Sequence, residues 1–328
     1  MIRMESIADQ ARRLLGAGEA ARAVQLLSQA AQRGDGQALR ELALWHVYGY
    51  PVRRDFAMAR TLFERGGQVG DKQSALTHAV FVAMGAGGAA DWPGALALLE
   101  KAAEKDPAAA RQQELIGRME LNPDGTPVSV PPLDIRSDTP RIGTLERLFT
   151  ADECAHVVAL SRPDMTPSIV VDSRTGKESP NPIRTSDGTV LGPIQQDMVV
   201  HALNLRIAAA TGTRVRQGEP LTVLRYVPGQ QYRLHHDCLP GESNQRVLTL
   251  IAYLSDGYEG GATQFPTAGI EYRGKIGDAI LFANTVPDGR ADERSRHAGL
   301  PVSQGEKWIS TRWIRARDFD PWGLYPPG

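Results

Sequence analysis

Two periodicities divide this chain. Through residues 1–118 Ala and Leu recur at helical spacing, and the pattern repeats: Ala23, Ala59 and Ala95 lie 36 apart, as do Leu27, Phe63 and Leu99, and Ala31, Gly67 and Ala103. Gly34-Asp35 returns as Gly70-Asp71, Gly49 as Gly85, and Asp55 as Asp91. A fixed period of this length predicts a helical solenoid, whose units bury their faces only against neighbours. About three units fit; the third is degenerate, with Pro107 standing where Asp35 and Asp71 do. From Leu221 onward the period drops to two. Runs at 221–226, 231–236, 247–254, 279–283 and 307–315, broken by Gly and Pro, predict short strands. Between these regions, residues 121–140 lose all helical period and collect Pro123, Pro127, Pro131, Pro132 and Pro140, which predicts a linker. Thr150 and Glu153 form a capping box ahead of CAHVVAL, so a helix starts there. SIVVD at 168–172 predicts a strand, 173–189 a long polar loop, and Gln195–Ala210 a second helix ended by Gly212.

Composition narrows the class. Hydrophobic residues make up 41% and charged residues 23%, as in ordinary globular proteins, and 328 residues favour more than one domain. A net charge of −1 offers no electrostatic footprint for nucleic acid or an anionic membrane, so neither is expected as a partner. No apolar run approaches bilayer length, and MIRMESIADQARRLL lacks the apolar core of a signal peptide. Two cysteines, Cys154 and Cys238, are too few for a disulfide framework, which points to a cytoplasmic location. Cys154 reads as a helix core residue.

The candidate chemistry lies in LTVLRYVPGQQYRLHHD, residues 221–237. Successive strand side chains point to opposite faces, so His235 and Asp237 project together and His236 points away. His297, far along the chain, supplies a third donor. Two His and one carboxylate with open positions suit non-haem Fe(II) and oxygen chemistry. Lys307 opens the run KWISTRWIR, where it shares a face with Ile309, Thr311, Trp313 and Arg315. A cation pointing into the same pocket needs an anion, and a dicarboxylate cosubstrate would provide one.

From about Arg141 to Arg317 the chain resembles the prolyl-4-hydroxylase branch of the 2-oxoglutarate and Fe(II)-dependent dioxygenases. FTADEC at 149–154, IRTS at 183–186, Glu219 with 221–237, and RVLTLIAYL at 246–254 carry the likeness. So do GGATQFP at 260–266, GDAILFAN at 277–284, and HAGLPVSQGEKWISTRWIR at 297–315. The resemblance implies a double-stranded β-helix (jelly roll) flanked by helices, whose strands converge ligands at an open mouth. It also implies Fe(II) on His235, Asp237 and His297. 2-Oxoglutarate would sit with its far carboxylate on Lys307 and the hydroxyls of Tyr226 and Thr263, with O2 consumed and ascorbate as auxiliary. Tyr232 should lean over the metal mouth and, with Arg246 and Trp313, serve the reaction; Arg184, Ser186 and Glu219 should border the substrate.

The N-terminal repeats resemble the Sel-like relatives of the tetratricopeptide repeat. The expected fold is thus multidomain, α and β: an N-terminal α-helical solenoid over 1–120, a Pro-rich linker over 121–140, and the dioxygenase domain over 141–328. Such a solenoid presents a concave surface to a protein or peptide, which makes a recruited prolyl substrate the leading expectation. Two positions depart from the pattern, His236 inside H-x-D and Arg315 near the rim. A hydroxylase of a free amino acid or other small molecule therefore stays open, as does a catalytically silent scaffold.

Overall fold

The computed structural model of the protein describes residues 5–171 and 178–324. Their contacts form two compact units. One gathers the described residues within 1–126, 196–202 and 322–328; the other comprises those within 127–195 and 203–321.

The first unit contains the helices α1 (Ile7–Gly16), α2 (Ala20–Gln32), α3 (Gly36–Tyr48), α4 (Phe56–Gln68), α5 (Lys72–Met84), α6 (Trp92–Ala103) and α7 (Pro107–Gly117). The recurring aspartates begin α3 to α6. The carboxylates of Asp35, Asp55, Asp71 and Asp91 accept from the backbone N–H groups of Ala38, Met58, Ser74 and Gly94, so each aspartate satisfies a donor that the helix itself leaves unpaired. Gly49 and Gly85 close α3 and α5 in the left-handed conformation, at φ 76° and 73°. The third unit slips by one residue. α6 has 12 residues against 13 in α4, so Asp106 rather than position 107 caps α7. Pro107 then takes the first helical position, where a missing N–H costs nothing.

The residues that mark the period form the interior: Ala23, Leu27, Ala59, Phe63, Ala95 and Leu99 are each at most 1% exposed. Phe63 meets Phe81 edge-on at 5.2 Å. One neighbour was invisible to periodicity. Trp322 lies 4.6 Å from Phe56 and 5.7 Å from Phe81, and its carbonyl accepts from Arg54 Nη2 at 3.2 Å.

The strands, in chain order, are β1 (Asp134–Asp138), β2 (Arg141–Leu145), β3 (Thr166–Pro167), β4 (Ile169–Val171), β5 (Glu178–Pro180), β6 (Asp187–Leu191), β7 (Leu221–Tyr226) and β8 (Tyr232–His235). They continue with β9 (Arg246–Tyr253), β10 (Glu259–Gly260), β11 (Thr263–Phe265), β12 (Ile270–Tyr272), β13 (Ala279–Ala283), β14 (His297–Gly299), β15 (Val302–Gln304) and β16 (Lys307–Arg315). Helix α8 (Ala151–Ser161) follows β2, and α9 (Met198–Thr211) precedes β7. Among the described residues the larger sheet runs β1-β2-β13-β9-β16-β7-β6-β3, and a second runs β12-β11-β14-β8. This is the expected jelly roll. Its core holds Leu224, Ile251, Tyr253, Phe265, Ile280, Phe282 and Ile309.

β16 is paired on both sides, by β9 and β7, and all nine of its residues are buried. One face carries Lys307, Ile309, Thr311 and Trp313 into a pocket. On its other face Arg312 donates to Asn204 Oδ1 of α9 at 2.5 Å. α8 carries the expected capping box, with Glu153 also bonded by Arg206 at 2.7 and 2.9 Å. Cys154 is fully buried, as expected.

Three expectations need revision. Residues 121–140 are only partly linker: Asn122 and Thr126 close a turn, and Asp134–Asp138 pairs with β2 as β1. The prolines flank that strand instead of interrupting it, and an edge strand with one partner tolerates the polar run DIRSD. The loop expected over 173–189 contains β5 and the start of β6; Asp172 and residues 173–177 lie outside the described residues. The strand expected over 231–236 stops at His235, so Asp237 sits in the irregular segment beyond it.

Candidate metal centre

β8 and β14 bring the first two donors together, with His235 opposite His297 in the antiparallel register. The next matched pair is Tyr232 with Gly299, three residues along one strand and two along the other. This bulge cancels strict alternation and turns Tyr232 onto the side of His235. The rings stack at 3.5 Å with 9° between planes. Asp237 joins them from the segment that follows β8. Its Oδ1 lies 3.5 Å from His235 Nε2, and its Oδ2 lies 3.8 Å from His297 Nε2. Two atoms each about 2.1 Å from one ion are at most about 4.2 Å apart, so the Oδ1–His235 separation fits a shared metal.

The protonation pattern fits as well. His235 Nδ1 is 2.8 Å from the Arg233 carbonyl and His297 Nδ1 is 3.1 Å from the Ser295 carbonyl. A carbonyl only accepts, so each Nδ1 carries the proton and each Nε2 presents a lone pair toward Asp237. Burial lowers the His297 imidazole to about 4, against the pull of Asp237, so it is neutral at pH 7. Burial alone would raise the Asp237 carboxyl, but His297, His235 and Thr249 beside it hold it well below the usual carboxylate range. A neutral His297, an ionised and nearly buried Asp237 and the His235 imidazole form a donor set suited to a divalent metal. Among the described residues these three are the group of potential ligands close enough to share an ion.

The pocket is lined by Tyr226, Tyr232, Thr263 and Lys307 as well as the three donors, with Leu224, Ile251, Ile309 and Trp313 as its apolar wall. Its space, open mouth included, is about 400 Å³. Lys307 is 2% exposed. Its Nζ donates to the Gly261 carbonyl at 2.6 Å and lies over the rings of Tyr226 and Tyr253 at 5.4 and 5.7 Å. Burial pushes the ammonium down to about 7. Burial also raises the Tyr226 phenol, which stays a donor. Thr263 shares a 2.8 Å hydrogen bond with Tyr253. A recessed cation beside two hydroxyls, in one pocket with the donors, makes a cradle for a small dianion.

The substrate-side candidates divide. Arg184 lies over the Tyr232 ring at 5.7 Å and donates to Ser168 Oγ at 3.0 Å. Ser186 is fully buried behind the pocket wall, bonded to Tyr226. Glu219 and Arg246 face each other, with Nε and Nη2 donating at 2.6 and 2.7 Å, and Arg315 donates to the same carboxylate. Neither Glu219 nor Arg246 lines the pocket. Arg246 instead lies 4.0 Å above the Trp313 ring, so this ion cluster backs the indole wall.

Sequence reasoning missed Thr249 and Asn284. Thr249 Oγ1 is 2.7 Å from Asp237 Oδ2, and Asn284 Nδ2 donates to Thr249 Oγ1 at 2.8 Å. Their only signal was a hydroxyl inside the apolar run VLTLIAY and an amide ending AILFAN.

Comparison with known proteins follows the same outline. A family described as the 2OG-Fe(II) oxygenase superfamily matches residues 221–315. The chain is 36% identical over 211 residues to a probable prolyl 4-hydroxylase 10 of Arabidopsis thaliana, covering 57% of this chain and 73% of that one. It is 37% identical over 203 residues to prolyl 4-hydroxylase 1 of Arabidopsis thaliana, covering 56% and 72%. Among solved structures, a viral collagen prolyl hydroxylase from Paramecium Bursaria Chlorella virus-1 in its 2OG complex is 27% identical, with 54% and 96% of the chains covered and a TM-score of 0.43.

Proposed function

We propose, from the premise that this chain belongs to the prolyl 4-hydroxylase family of the 2OG-Fe(II) oxygenases, that it hydroxylates a prolyl residue of a protein or peptide. Fe(II), 2-oxoglutarate and O2 are the family's requirements, and the enzyme is a dioxygenase. One juxtaposition carries the residue assignment: His235, Asp237 and His297 share a pocket with the buried cation Lys307. When bound, metal and cosubstrate supply the O2-dependent oxidation that places a hydroxyl on carbon, with succinate and carbon dioxide released.

The chain's own groups bind, orient and exclude water. His235 and His297 offer Nε2 lone pairs fixed by their Nδ1–carbonyl hydrogen bonds, and Asp237 offers a charge. Lys307, Tyr226 and Thr263 receive the distal carboxylate of 2-oxoglutarate through one ammonium and two hydroxyls. Leu224, Ile251 and Ile309 keep the pocket dry. Tyr232, held against His235 and under Arg184, stands at the mouth with Trp313 to position the substrate chain. The helical repeats, residues 1–120, recruit that substrate. Two free cysteines, one buried, accord with a cytoplasmic enzyme, and no described helix is long and apolar enough to cross a membrane.

Lys307 makes cosubstrate affinity depend on pH. The dianion needs the ammonium form, and in the free enzyme that form is lost as pH rises through about 7. The KM for 2-oxoglutarate is expected to be about tenfold higher at pH 8 than at pH 6, with uptake of close to one proton on binding at pH 8. Lys307→Arg, which stays charged, should flatten the profile. Titration calorimetry in two buffers of different ionisation enthalpy measures the proton; a value near zero would remove Lys307 from the cosubstrate site.

The activity itself is tested with purified protein, Fe(II), ascorbate and 2-oxoglutarate added to host extract divided into protein and small-molecule fractions. Mass spectrometry should find a single oxygen added to proline in the protein fraction, coupled to succinate and absent with His297→Ala. Succinate driven by the small-molecule fraction alone would replace the prolyl reading with a small-molecule hydroxylase. No succinate from either fraction, with metal and cosubstrate bound, would overturn turnover on host substrates.

A further inference from the structure

We propose that Asn284 and Thr249 are positioning residues that restrict Asp237 to one coordination position on the metal. This rests on the metal-centre reading above and extends it to two side chains with no ligand atom in the site.

The direction of the relay follows from its ends. The Thr249 hydroxyl donates its single proton to Asp237 Oδ2 at 2.7 Å. Thr249 Oγ1 then accepts from the Asn284 amide, 2.8 Å away. Asn284 and Thr249 are fully buried and Asp237 is 5% exposed, so water does not compete along the chain. The relay is braced at its root. Asn284 N–H donates to the Val247 carbonyl at 2.9 Å, and the Asn284 carbonyl accepts from Asp292 N–H at 2.9 Å.

Asn284 looks like a poor choice for stability alone. Its side-chain Oδ1 is buried without a hydrogen-bond partner, a penalty that leucine of similar size would avoid. A locally unfavourable core residue whose other amide atom is used points to function.

The consequence is a count of positions. An octahedral metal with two His and one carboxylate oxygen keeps three positions, two for a chelating 2-oxo acid and one for O2. A carboxylate bound through both oxygens would take one of these. With Oδ2 engaged by Thr249, Oδ1, on the side of His235, is the oxygen left for the metal.

The test uses Co(II) as probe on the full chain, with calorimetry for affinity and the electronic spectrum for coordination. Thr249→Val keeps shape and removes the donor; it is expected to weaken Co(II) binding about 10–100-fold and to alter the spectrum, while circular dichroism of the metal-free protein is unchanged. Thr249→Ser should restore both. Asn284→Leu should weaken Co(II) binding in the same direction without lowering the melting temperature of the metal-free protein. Wild-type affinity and spectrum in Thr249→Val would overturn the relay alone. Failure of the wild type to bind Co(II), or binding unaffected by His297→Ala, would overturn the metal centre and the relay with it.

Discussion

Lys307→Met is expected to abolish turnover while making the metal-free protein more stable. Lys307 is 2% exposed, and no acidic side chain among the described residues pairs with it; only the Gly261 carbonyl and two aromatic faces receive its ammonium. Burial therefore holds its folded value near 7, below the unfolded value of 10.5. Between those values the unfolded chain binds a proton that the native chain does not, so stability rises with pH through this window. Below pH 7 the native state must carry the charge and bears the full burial cost. Methionine fills similar space without charge, and at pH 6 should add on the order of 2 kcal/mol. For a unit of this size that is about 4–8 °C in melting temperature. The same change removes the charge proposed to anchor the cosubstrate, and 2-oxoglutarate affinity should fall by about a hundredfold or more. Thermal scans at pH 6 and pH 9 with calorimetry check both halves. A melting temperature that drops at pH 6 would mean that the cavity is already solvated and that the cation costs little.

Glu219→Leu should have the opposite signature. Glu219 holds Arg246 through both carboxylate oxygens and Arg315 through a third contact, with the three side chains 8–16% exposed. Removing the carboxylate leaves two nearly buried cations facing one another. Breaking a buried pair from one side typically costs about 3–5 kcal/mol, here a fall in melting temperature of roughly 10 °C. The effect reaches the pocket through Trp313, whose ring Arg246 holds from 4.0 Å. The substrate KM should rise more than the KM for 2-oxoglutarate if the indole positions the substrate as proposed. Equal changes in both would place the cluster's influence on the whole pocket. A shift of under 2 °C would mean that water already reaches the guanidinium groups.

What the sequence revealed followed a simple rule: periodic or paired features were legible, and single long-range partners were not. The aspartate caps, the helices and the central strands declared themselves because each is a local pattern enforced by backbone hydrogen bonding. The His–Asp–His group and Lys307 were legible as the combination of H-x-D with H-x9-K at the family's separations, although Asp237 lies beyond the strand whose alternation was expected to place it. Thr249 could not, since threonine in a strand is an ordinary β former and its hydroxyl gains meaning only from Asp237, which folds up beside it. Tyr232 was expected to lean over the metal mouth, but its stacking on His235 depends on a bulge that no alternation predicts. Asp106 illustrates the reverse case: one residue lost from α6 moved the cap, and an exact 36-residue count then pointed to proline.

The placement of Trp322 has a consequence in time. Its socket on Phe56 and Phe81 is held from Arg54, 268 residues earlier in the chain. At translation rates of about 5–20 residues per second, those aromatic rings wait on the order of tens of seconds for their cover. Until Trp322 has been synthesised, the growing chain carries an open greasy notch, a natural grip for a chaperone.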